Sequence, residues 1–122
     1  MTTPLHQMKA EFFKTLSHPV RIRVLELLSE REHSVGELLR PIEVEASNLS
    51  QQLAILRRAG LVATRKEGST VYYSLVSSQI ADLMAVARSI LTSVLSEQAE
   101  LLTTLRNDAR VARGDQLRRG AR

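Results

Sequence analysis

The segment SNLSQQLAILRR, Ser47 to Arg58, crowds side chains that hydrogen-bond in both directions into one short stretch. Asn48 and Gln51 each carry a donor and an acceptor on one planar amide, the pattern that matches the major-groove edge of adenine. Ser47 and Ser50 are hydroxyls able to meet bases or phosphates. Ala54 is small enough to let a helix lie close to a groove wall, and its methyl suits a thymine methyl. Arg57 and Arg58, with Arg65 and Lys66 further on, are placed to neutralise phosphates. This is chemistry of recognition rather than of bond breaking. The three histidines, His6, His18 and His33, all lie toward the N-terminus. None has a serine or carboxylate partner at a spacing that makes a triad, and no glycine-rich phosphate loop occurs, so an enzyme is not expected. There is no cysteine, which excludes disulfides and thiolate sites.

The elements that must hold these side chains can be read from periodicity. Leu5, Met8, Phe12, Phe13 and Leu16 recur at helical spacing. A second helix restarts at Pro19, where a missing N–H costs nothing, with Ser17 or His18 as its cap and Val20, Val24, Leu27 and Leu28 as its inner stripe. Ser34-Val-Gly-Glu37 has the form of a capping box opening a short helix over Val35 to Leu39, which Pro41 ends. The next helix is expected to be capped by Ser47, to run to about Ala59 and to stop at Gly60. At 100° per residue Leu49, Leu53 and Leu56 fall within about 60° of one another and form its core stripe. Ser47, Gln51, Ala54 and Arg58 then face away, with Ser50 and Arg57 on one flank and Asn48 and Gln52 on the other. Ile55 fits neither side and is assigned to packing against a neighbour. The period changes to alternation over Leu61 to Leu75, with Gly68-Ser69 in the order of a type II′ hairpin turn. Ser69 and Thr70 belong to its basic tip, RKEGST. From Ser77 a helical stripe runs to Leu105.

A short helix, a turn, a polar-faced helix and a two-stranded wing form a winged helix-turn-helix, mainly α with a β-hairpin, in the order α-α-α-α-β-β-α. Either feature alone has a plainer reading: a solvated helix face, or a charged edge that discourages strand aggregation. Together and in this order they favour double-stranded DNA as the partner. The charge agrees, with 17 basic against 13 acidic residues and a net +4. The expected organisation is one DNA-binding and dimerisation domain over 1–106 and a basic, disordered tail over 107–122. That tail carries Arg110, Arg113, Arg118, Arg119 and Arg122. No apolar run nears the roughly 18 residues of a membrane helix and the N-terminus lacks a signal pattern, so a cytoplasmic location is expected.

HPVRIRVLELL, SVGELL, SNLSQQLAILRRAGLV and TRKEGSTVYYSL resemble the ArsR/SmtB family of bacterial winged-helix repressors, over about Met8 to Leu95. The resemblance implies a homodimer bound to an inverted repeat in a promoter. It matches Ser50, Gln51 and Gln52 to the family's recognition-helix triplet and Arg65 to Thr70 to the wing. It is strongest toward actinobacterial and mycobacterial members without metal ligands. Apolar patterning points to a dimer independently. Leu5, Met8, Phe12 and Phe13 in the first helix, and Met84, Ala87, Ile90, Leu91, Val94 and Leu95 in the last, offer more apolar surface than one small domain covers. The expected function is a sequence-specific DNA-binding regulator, a repressor. The alternatives are a nonspecific, architectural DNA binder, which the arginine tail would suit, and a protein-interaction module using the last helix alone.

No metal or cofactor is expected, although many relatives respond to a transition ion. By position, the family's short-helix site falls at Leu39 and Pro41, which cannot ligate. Its C-terminal site falls at Ser77, Gln79, Ile90 and Ser93, and no histidine follows His33. Lone carboxylates such as Asp82, Glu97 and Glu100 hold zinc-like ions weakly. Titration of zinc, cobalt or nickel into the protein–DNA complex is therefore expected to leave it intact. Tight, stoichiometric binding that releases DNA would overturn this, and His6 and a C-terminal carboxylate would be the first ligands to mutate.

Overall fold

The computed structural model of the chain describes the backbone of residues 2–120 and the side chains of residues 2–114. Its elements are α1 (Leu5–Leu16), α2 (Pro19–Glu30), β1 (His33–Ser34), α3 (Val35–Leu39), α4 (Ala46–Arg58), β2 (Val62–Glu67), β3 (Thr70–Leu75) and α5 (Ser78–Gly120). The strands form one antiparallel sheet in the order β1-β3-β2. This is a winged helix-turn-helix. The chain divides into two compact units, one ending at Met84 and the other beginning at Ala85 within α5.

Local chemistry explains the breaks in the first unit. His18 caps α2, its Nδ1 accepting from the Val20 N–H at 3.2 Å, and Pro19 follows it at the first helical position. Ser34 and Glu37 close the capping box reciprocally, at 3.2 and 3.1 Å. The backbone N–H of Ser34 and the nearby Arg31 both favour the charged form of Glu37, holding its carboxyl below the usual range. At the end of α4, Gly60 adopts a φ of 76°. The Gly60 N–H bonds the Arg57 carbonyl and the Leu61 N–H bonds the Leu56 carbonyl, each at 3.0 Å, which is a Schellman motif. In the hairpin Glu67 pairs with Thr70, Gly68 has a φ of 62° and Ser69 stays at negative φ, as a type II′ turn requires.

The core of this unit is built from Val24, Leu25, Leu27 and Leu28 of α2, Leu38 of α3, and Leu49, Leu53 and Leu56 of α4. Leu16, Ile42, Leu61, Val62 and Ile80 close it. Tyr73 and Leu75 of β3 pack against it from the wing, with Val20 and Leu83. Ile55 is half-buried, as its awkward angle suggested.

Three expectations are corrected. Ser47 does not cap α4. Glu45 is the extended residue at the boundary, and its carbonyl accepts from the Leu49 N–H at 3.1 Å, so Ser47 already lies in the first turn. Leu25, left out of the α2 stripe, is fully buried because α2 packs on two sides, against α4 and β3. The strand β1 was not expected; its two residues, His33 and Ser34, pair with Tyr73 and Tyr72, and His33 is buried. The helix α5 runs from Ser78 to Gly120, across the expected boundary between domain and tail at 106/107. Arginine and alanine, both good helix formers, supply six of the fourteen residues from 107 to 120, and no proline interrupts them. Arg110 and Arg113 are exposed on it, whereas the side chains of Arg118 and Arg119, and all of Arg122, lie outside the described residues.

The apolar residues expected at a dimer interface are of two kinds. Phe12 and Met84 are half-buried against their own core. Leu5, Met8 and Phe13 in the first unit are exposed, as are Ile90, Leu91, Val94 and Leu95 in the second, and Ala87 is exposed beside them. Among the described residues, no helix is long and apolar enough to cross a membrane.

A Cβ on Gly60 would meet no atom within 4 Å, so any penalty for adding one is purely conformational. Gly60→Ala is expected to cost about 1–2 kcal/mol, the strain of a left-handed alanine, and Gly60→Asn less. Urea unfolding checks both, and equal costs would mean that strain at this cap is not the cause.

Candidate nucleic-acid interface

Burial of Leu49, Leu53 and Leu56 turns the opposite face of α4 outward. Ser47, Ser50, Gln51, Ala54, Arg57 and Arg58 are all exposed there. Ser50, Ala54, Arg57 and Arg58 line one side of an open cleft of about 460 Å³, whose other wall is Tyr73 of β3. The arginines occupy the last turn of α4, where the helix dipole favours positive charge. Ser69 and Thr70, at the tip of the wing, line a second open cleft with Ser34, Val35 and Gly36 at the start of α3. The polar face of α4 is therefore flanked by the hairpin, with the small, exposed Ala54 within it.

Two residues expected on the DNA-facing surface are engaged elsewhere. Gln52 is only 8% exposed. Its Oε1 accepts from Arg21 Nε at 2.8 Å, and its Nε2 donates to Asn48 Oδ1 at 3.1 Å. It cannot present its amide to a base while so held. Asn48 is half-buried, with its oxygen turned toward Gln52.

Arg65 is likewise held by protein groups. Its guanidinium bonds both carboxylate oxygens of Glu32, reaches Glu67 at 2.8 Å, and lies 4.8 Å from the centre of the Tyr72 ring. The hydrogen bonds to Glu32 and Glu67 raise its pKa further, and in return the Arg65 hydrogen bond holds Glu32 below the usual carboxylate range. All three groups are substantially exposed, so solvent screens these pairs and they contribute little to stability. What the pairing does decide is availability. Lys66, exposed on the same strand, makes no ion pair among the described residues.

The sequence reading missed Arg21, Glu32, Tyr72 and Tyr73. The only trace of Arg21 was a charge set among the apolar residues of α2. Glu32 sits 33 positions from Arg65, a separation at which no local pattern operates. For the tyrosines the alternation was visible, but which of them faces α4 depends on how the sheet packs. Among the described residues no cluster of histidine and acidic side chains could hold a metal ion.

Comparison with known proteins agrees with this geometry. Residues 16–65, from the end of α1 to the middle of β2, match a family described as a helix-turn-helix domain. The chain is 58% identical over 104 residues to the HTH-type transcriptional regulator Rv0081 of Mycobacterium tuberculosis, covering 84% of this chain and 91% of that protein. The crystal structure of Rv0081 superposes with a TM-score of 0.74 over 80% of this chain and 99% of that one. A transcriptional repressor SmtB homolog from Synechocystis is 40% identical over 77 residues, 63% of this chain and 58% of its own length. The solution structure of the homodimeric winged helix-turn-helix domain of Mb0332 from Mycobacterium bovis, a possible ArsR-family regulator, matches with a TM-score of 0.69. It is 27% identical and covers 76% of this chain and 86% of that one. These proteins are regulators of transcription and not enzymes. From the exposed helix, the wing beside it and these likenesses together, the chain belongs to the ArsR/SmtB family of winged helix-turn-helix transcriptional regulators.

Proposed function

We propose that this protein represses transcription by binding, as a homodimer, an inverted repeat in promoter DNA, with α4 in the major groove and the wing on the flanking backbone. The observation that carries this reading is the outward face of α4: Ser47, Ser50 and Gln51 around a small Ala54, bordered by Arg57 and Arg58 and followed by the Lys66 wing. Hydroxyls and an amide at the centre with cations at the rim separate base reading from phosphate anchoring. A nonspecific binder needs only the cations. Repression accords with the SmtB homolog, which is named a repressor.

Two surfaces support a dimer. Leu5, Met8 and Phe13 on α1 are apolar and exposed, and so are Ile90, Leu91 and Leu95 on α5. Patches of this kind mark interfaces, and Mb0332 is described as homodimeric. A two-fold pair of α4 helices would meet half-sites about 34 Å apart, or a small multiple of that spacing. Footprinting on the protein's own upstream region tests the whole reading: a protected, two-fold symmetric site is expected. Equal affinity for that region and for random DNA at one salt concentration would favour the architectural alternative.

Substitutions separate the roles. Gln51→Ala is expected to lose on the order of 1–3 kcal/mol on the preferred site and little on random DNA. Lys66→Ala should weaken every sequence alike and reduce the salt slope by about one. Equal losses on both DNAs for Gln51→Ala would show that the reading face lies elsewhere.

Leu91→Asp places a charge in the apolar seam and should give a monomer in sedimentation, with DNA affinity falling alongside because the two half-sites no longer bind as one unit. A wild type that is already monomeric at micromolar concentration would sink the dimer.

A further inference from the structure

Arg21, Gln52 and Asn48 form a hydrogen-bonded chain that begins in α2 and ends at the surface of α4. Its direction is not arbitrary. A guanidinium has donors only and keeps its proton at any ordinary pH. The Gln52 atom 2.8 Å from Arg21 Nε must then be the carbonyl oxygen, which leaves the Gln52 nitrogen to face Asn48. That nitrogen is a donor only, so the Asn48 atom 3.1 Å away must be its oxygen. Gln52 occupies one lone pair of that oxygen and holds it turned inward, and the group of Asn48 left without a partner among the described residues is its NH2.

We propose that Arg21 polarises this chain so that Asn48 meets DNA as a hydrogen-bond donor only. Its target is an acceptor: guanine O6 or N7, thymine O4, or a phosphate oxygen. The paired donor and acceptor of the adenine edge, which the sequence suggested, need an outward oxygen that Asn48 does not have in this arrangement. The inference rests on the reading of α4 as the DNA-facing helix.

Reversal is hindered at each link. Arg21 is tied back by Nη1 to the Thr15 carbonyl at 2.9 Å, so it cannot simply withdraw. Turning the Gln52 amide over would set an NH2 against the guanidinium and leave buried donors unpaired, which costs more than an ordinary hydrogen bond gains. Gln52, at 8% exposed, has little water to compensate it. Gln52 and Arg21 are thus positioning residues, and Asn48 is the one in reach of DNA.

Gln52→Glu tests this without breaking the anchor. The new carboxylate still accepts from Arg21 but has no N–H for Asn48, so Asn48 must turn and donate to it, exposing its oxygen. In the free protein, NMR should show the Gln52 NH2 protected from exchange and the Asn48 NH2 exposed, with the Asn48 NH2 becoming protected in the variant. Binding should be compared for wild type, Gln52→Glu, Asn48→Ala and the double variant, using sequences selected from a random duplex library. The double variant carries the same added charge but no asparagine amide. The penalty of Gln52→Glu should be about fivefold larger beside Asn48 than in the Asn48→Ala background, the value of one neutral hydrogen bond. If the acceptor is a base, the preference at one position of each half-site should also move from guanine or thymine toward cytosine or adenine. If it is a phosphate, the excess penalty should fall on all sequences alike. Equal penalties in both backgrounds, or an Asn48 NH2 protected in the wild type, would overturn the proposal. A wild type with no affinity for any duplex would instead overturn the reading of α4 on which it stands.

Discussion

The leucine stripe of α4 sets the geometry of everything else. Leu49, Leu53 and Leu56 are fully buried, and together they leave the helix one rotational setting about its axis. A turn of even one residue would bring Ser50 or Ala54 inward and push a leucine into water, at roughly 1.5–3 kcal/mol per side chain. Recognition by a helix depends on which side chains face outward and at what angle. A hydrophobic contact on one side of α4 therefore determines the hydrogen-bonding vocabulary on the other. The Schellman turn at Gly60 then reverses the chain, so that Leu61 and Val62 are buried and the hairpin starts from the core rather than from solvent.

A second layer of control is polar. Gln52 lies beside the stripe, and its amide is consumed by Arg21 and Asn48. On the wing, Arg65 is consumed by Glu32 and Glu67, while Tyr72 stacks beneath it. In both places a residue whose type suggests contact with nucleic acid is hydrogen-bonded to protein groups. Arg65 joins the hairpin to the loop before β1, and the short pairing of His33 with Tyr73 reinforces the same junction. The wing is thus fastened at its base, and Lys66 and the Gly68-Ser69 turn project from a supported strand pair.

Sequence alone disclosed what depends on neighbours a few positions apart. The capping box of Ser34 and Glu37, proline at the start of α2, the leucine stripe of α4 and the II′ turn all follow from spacing or from backbone limits on single residues. The features it missed depend on partners far along the chain. Gln52 and Arg21 are separated by 31 positions, and β1 exists only because β3 arrives beside it. Charge density suggested a disordered tail over 107–122, and no proline stands in that stretch to end the helix that reaches Gly120.

That helix has a thermodynamic corollary. A 43-residue α5 with Ile90, Leu91, Leu95, Leu101 and Leu105 all open to solvent draws little support from its own packing. Helical propensity alone holds such a segment only marginally in water. Its order is then governed by mass action. Whatever covers the stripe stabilises the helix in proportion to the logarithm of its own concentration, so the melting temperature of the chain rises as the covering species accumulates. If that species is a second copy, the amount of protein synthesised sets how much of it is folded along its full length.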